Sequence, residues 1–291
     1  MSSATLRIAA AVLLLLSCSI PSETQDEKPP GGRVWFAVEE RPRGEVRIEP
    51  FAIVSDGQLV RAPSICSEDD SGVEKFASTY LQPNQEYPVL FGGAAAGTAH
   101  ILSQQANSTM ARVSYDGPVK LRGPIRALAA SDAKGGFRVE SREPASKEER
   151  AAALSLARTI FRQHGVPEEQ LAKVHADFVT RTVIAPASLS SWIGAFTLET
   201  SKDYLQHNLF FIASQGVSGL EAELVWVRIG KQSDEDEAMQ LVDHGDLLGD
   251  GHDEVVVRFT STENHRFGVY KRGRDGTHWE QMLMTAQLEC R

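Results

Sequence analysis

The stretch Asp246-Leu-Leu-Gly-Asp-Gly-His-Asp-Glu254 runs without a break into Val255-Val256-Val257. Oxygen donors alternate around two glycines, and the chain then enters an apolar, β-branched segment. A tight polar turn must therefore feed directly into a strand. β-branched side chains lose rotamer freedom in a helix and pack well on a pleated surface, so this order of residues points to a β-rich fold.

The rest of the chain supports that reading. Val34–Val38, Glu45–Glu49, Tyr87–Phe91, Thr98–Leu102, Ala111–Tyr115 and Phe137–Glu140 read as short strands separated by Gly, Pro and Asp turns. Phe51–Val54 and Gln58–Arg61 read as a hairpin, with Asp56-Gly57 supplying the positive φ of a primed turn. Val73–Leu81 suits a short helix. Ser146-Lys-Glu-Glu149 is a capping box that opens a helix over 147–164, stopped by Gly165 and Pro167. A second short helix follows over 168–174. Beyond it the pattern returns to strands: Phe178–Ile184, Trp192–Leu198, Leu209–Ala213, Ala222–Ile229, Gln240–Asp243, Glu254–Phe259, Phe267–Lys271 and Trp279–Met284. The expected class is mainly β (α+β). An N-terminal antiparallel β domain spans 33–142, and a C-terminal domain spans 146–291, its helical connector leading into an antiparallel β-meander.

The N-terminus reads as an address. Arg7 precedes the apolar run Ile8–Leu16, which has the length of a signal-peptide core and is too short to span a bilayer. The run ends in Leu15-Leu16-Ser17-Cys18, which resembles the lipobox of bacterial lipoproteins, although Leu16 stands where that family prefers a small residue. The expectation is a signal peptide over 1–17, lipidation at Cys18 and a Pro-, Ser- and Glu-rich tether over 18–32, placing the protein in the periplasm or on the outer surface; the alternative is ordinary cleavage near Ser19 or Pro21 and secretion. Cys66 and Cys290 are the two cysteines left after processing, and an exported chain with two remaining thiols is expected to join them in a disulfide. A formal net charge of −9 argues against a nucleic-acid backbone as partner.

The Asp246 loop, entering its valine run, resembles the calcium loop of FG-GAP or VCBS-type repeats, as in integrin α-chain propellers. The likeness covers roughly 40 residues, Leu241 to Trp279, in a single copy, and propellers need several blades. It implies a Ca²⁺ site with Asp246, Asp250 and Glu254 as carboxylate ligands and His252 offering its carbonyl. Leu248 stands where the family carries Asn or Asp, so one ligand is missing and the site would be weak and structural. The competing reading is that Asp246 and Asp250 shape the turn through side-chain-to-backbone hydrogen bonds, with no ion. A catalytic metal site built from His244, Asp246, Asp250, His252 and Asp253 fits poorly, because all five come from one short loop.

Other motifs fall short of chemistry. Gly92–Thr98 has the outline of a phosphate loop but lacks its lysine, and it reads as a bend where two backbones pack closely. No Gly-x-Ser-x-Gly elbow is present. The functional expectation is a non-catalytic exported binding or envelope-scaffold protein, with the membrane (through its lipid) and a protein or glycan as partners. The rival is an exported metal-dependent hydrolase with its site between the two domains.

Overall fold

The structure is a computed structural model that describes residues 32–63, 70–106, 108–132, 141–199, 206–230, 237–262, 264–273, 276 and 278–286. The export signal, Cys18, Cys66 and Cys290, and the strand expected over Phe137–Glu140 lie outside the described residues. The protein is mainly β, with antiparallel sheets and, among the described residues, three helices.

The N-terminal sheet contains β1 (Arg33–Glu40), β2 (Val46–Ser55), β3 (Gln58–Arg61), β4 (Glu86–Phe91), β5 (Ala94–Gln104), β6 (Ala111–Tyr115) and β7 (Ala127–Ala130). Its order is β1-β7-β4-β5-β6-β2-β3, and a further β1–β2 pairing closes six of the strands into a barrel. The hairpin turn between β2 and β3 has φ of 51° at Asp56 and 74° at Gly57, as a primed turn requires. Inward residues alternate with outward ones. Val34, Phe36 and Val38 fill the barrel with Ile48, Val89 and Ile101, and helix α1 (Asp70–Tyr80) adds Phe76 and Ala77 to the same core.

Beyond β8 (Glu143–Pro144), helix α2 (Lys147–Gln163) begins with the expected capping box: Ser146 Oγ accepts from Glu149 N, and Glu149 accepts from Ser146 N. Helix α3 (Glu168–Leu171) follows. The single C-terminal meander expected from the sequence is two sheets. One joins β8 to β9 (His175–Val183), β10 (Ser190–Glu199), β11 (Gln206–Gln215) and β12 (Leu220–Arg228). The other runs β13 (Ala238–Gly245), β14 (Glu254–Thr260), β15 (His265–Arg272) and β16 (Trp279–Met284).

The four-stranded sheet is the middle layer of the molecule. Val242, Val256, Phe267 and Val269 face the barrel, against Trp35, Ala37, Phe51 and Leu128. Met239, Leu241, Val255, Val257 and Phe259 face the five-stranded sheet, against Ile193, Phe210 and Ile212. The far face of that second sheet is covered by α2 through Ala153, Ala157, Ile160 and Phe161. This explains the unbroken valine run: Val255, Val256 and Val257 are all 0% exposed because both faces of β14 are covered. Full burial of such side chains contributes about 1.5–3 kcal/mol each.

Candidate functional site

A sheet buried on both faces places its polar residues in the interior, and each must find partners. The bulge in β13 between Leu241 and Asp243 leaves Val242 and Asp243 both facing the barrel, while His244 faces the five-stranded sheet. Asp243 accepts from the Gly92 amide at 3.0 and 2.9 Å and lies 3.5 Å from Arg142 Nη1. Arg142 in turn donates to the carbonyls of Val242 and Arg126 and stacks over the Phe91 ring. Burial pushes the Asp243 carboxyl up, against the pull of the Arg142 charge. The close backbone approach expected at Gly92 is present: a Cβ there would lie 2.1 Å from Arg142 N. On the other face, Thr182 Oγ1 lies 2.6 Å from His244 Nε2, and His244 Nδ1 lies 3.0 Å from Asp253 Oδ2. Asp253 Oδ2 also accepts from Ala185 N. This chain has the spacing of a proton relay, yet Thr182, His244 and Asp253 are 4%, 0% and 1% exposed. It pins the two sheets together.

The Asp246 loop is held by its own carboxylates. Asp246 accepts from the amides of Gly249, Asp250 and Gly251, and Asp250 from that of His252. Gly249 and Gly251 adopt φ of 78° and 84°, the left-handed region the turn needs. Leu247, between the aspartate and the turn, is a core plug at 0% exposure, and its carbonyl accepts from Trp35 Nε1. The expected hairpin is present and pairs Glu254 with Lys271 across β14 and β15. Lys271 Nζ consequently sits 2.6 Å from Asp250 Oδ2 and 2.8 Å from Glu254 Oε1, and Glu254 Oε2 accepts from Leu247 N. Asp246 is occupied by the turn, and an ammonium lies between the other two carboxylates. As placed, the donor set does not suit calcium. Among the described residues no group of three His, Cys, Asp or Glu side chains is arranged to hold a metal.

A third cluster lies where the barrel meets the middle sheet. Three strands present an outward stripe here: Trp35 and Ala37 on β1, Leu128 and Ala130 on β7, and Val256 on β14. Two residues further along each stripe the apolar side chains give way to Glu39, Arg126 and Arg258, on the same faces because strands alternate with period two. Arg258 Nη1 donates to Glu39 Oε2 at 2.7 Å, Arg126 Nε to the same oxygen at 3.3 Å, and Arg41 Nε lies 2.8 Å from Glu39 Oε1. Burial raises the Glu39 carboxyl, but the charges of Arg258, Arg41 and Arg126 outweigh it and hold the group below its usual range. The opposite happens at Arg126, whose pKa is drawn down first by burial and then by the neighbouring Arg258 charge.

These residues border a recess of about 710 Å³, completed by the turn after β1 (Arg41, Arg43, Gly44), by Arg122 and by Thr260. No family model, curated protein or solved structure matches the chain. The FG-GAP likeness thus rests on the loop residues alone.

Sequence reasoning placed Asp246, Asp250, His252 and Glu254 in one loop but missed Lys271, the partner of Asp250 and Glu254. It also missed the arginine cluster. Arg258 was legible as sharing a face with Val256; nothing local links it to Glu39, which is 219 residues away.

Proposed function

We propose that the chain is a non-catalytic exported binding protein, held at a membrane by lipid on Cys18. The observation that carries the reading is the lining of the recess: five guanidinium groups and two carboxylates, with a threonine hydroxyl and no histidine or cysteine. Such a surface recognises by charge and hydrogen bonding. It offers no free general base, and its excess positive charge repels a metal ion, which weighs against the hydrolase reading. The proton-relay spacing at Thr182, His244 and Asp253 supports no reaction either, because a substrate cannot reach the hydroxyl. In this reading the Asp246 loop is a structural turn: Asp246 is held by the loop amides, and Lys271 pairs with Asp250 and Glu254.

The test is fractionation of the native envelope together with an assay of the purified protein against ester, phosphoester and peptide substrates. Wild type should partition with membranes and Cys18→Ser with the soluble fraction, with no turnover in either. Identical partitioning would remove the anchor from the account. Turnover abolished by a recess substitution would make the protein an enzyme.

A further inference from the structure

A guanidinium N–H buried without an acceptor costs on the order of 1–3 kcal/mol, so native proteins seldom leave one unmade without a reason. Three residues that line the recess carry polar atoms in that state: Arg126 Nη1, Arg258 Nε and Thr260 Oγ1 are buried and have no hydrogen-bond partner. Arg258 is only 6% exposed, with Nη1 already committed to Glu39. The lining carries an excess of three positive charges in a chain whose net charge is −9. A volume of about 710 Å³ is that of a small-molecule site.

We propose that this recess binds a small, multiply charged oxyanion, a phosphate- or carboxylate-bearing compound whose oxygens accept from Arg126, Arg258 and Thr260. The proposal rests on the reading of the chain as a binding protein and names the class of its ligand. Planar guanidinium forks match such oxygens in pairs, one to each N–H, whereas a halide offers a single spherical acceptor to both. Glu39 has a positioning role: it holds Arg126, Arg258 and Arg41 at one point and screens these three like charges from one another.

Isothermal titration of the full mature protein with inorganic phosphate and with citrate, against sodium chloride at matched ionic strength, tests the idea. At least one oxyanion should bind saturably, and chloride should not. Arg126→Lys keeps the charge but loses the fork, and should weaken binding about tenfold. That variant disturbs a buried contact, so Arg122→Gln is the second. The Arg122 side chain is 74% exposed and pairs with Glu40, so its loss should weaken binding about threefold or more by reducing the field, with the melting temperature unchanged. Two results would overturn the proposal: absence of saturation by both oxyanions, or equal binding in wild type and Arg122→Gln. Neither touches membrane partitioning or turnover, so failure here is distinguishable from failure of the binding-protein reading.

Discussion

Lys271 Nζ lies 2.8 Å from Glu254 Oε1, directly across the β14–β15 pair from it, at the point where a calcium loop would hold its ion. The side chain arrives there by strand register alone. Burial is the larger influence on Glu254 and pushes its carboxyl up to about 7, against the opposing pull of Lys271 and the Leu247 amide.

That shift gives a pH dependence. The folded carboxyl titrates at about 7 and the free side chain near 4.5, so folding favours the protonated form. The contribution is complete below the lower value and is lost as pH rises through the upper one, by an amount on the order of 3 kcal/mol. Melting curves from pH 4.5 to 8 should show wild type losing stability more steeply than Glu254→Gln. Parallel curves would mean that folding leaves the Glu254 carboxyl unshifted.

The same register predicts indifference to calcium. Asp246 is spent on three loop amides, and Lys271 competes for Asp250 and Glu254. Millimolar calcium should leave the melting temperature of wild type and of Asp250→Ala unchanged. A rise in wild type that Asp250→Ala abolishes would restore the loop as a metal site.

The Asp243–Arg142 pair should be among the most sensitive contacts in the protein. Removing one partner leaves a buried, uncompensated charge, and Asp243→Ala should cost about 3–5 kcal/mol in denaturant unfolding. The double variant with Arg142→Met should cost less than the sum of the single changes, because it leaves no charge stranded. Additive losses would show that the two residues act separately.

Thr182→Val tests the sealed relay. It leaves His244 Nε2 without its neighbour and should destabilise by about 1–3 kcal/mol while oxyanion binding is retained. Lost binding with unchanged stability would assign the relay a functional role.

Much of this architecture was legible locally. Ser146 and Glu149 announce α2, Asp56-Gly57 announces its hairpin, and the alternation around Phe267–Lys271 announces the partner of β14. The barrel was not legible, since its ring needs β1 to pair with β7, nearly a hundred residues later, through contacts such as Trp35 with Ala130, as well as with its neighbour β2. Nor was the split of the C-terminal strands into two sheets. A run such as Val255–Val257 shows that both faces are apolar, but the layers that cover them come from distant parts of the chain. The Asp246 loop was read in one dimension, where four oxygen-bearing residues look like a cage. Lys271 enters only through cross-strand pairing, and the arginine recess only through the meeting of three stripes.

Hydrogen–deuterium exchange of the mature protein, with and without saturating citrate or inorganic phosphate, tests the central claim most directly. Backbone amides near Glu39–Gly44, Arg122–Arg126 and Arg258–Thr260 should gain protection together, while 246–254 stays unchanged. Protection confined to 246–254, or absent from the recess under saturating ligand, would contradict the account.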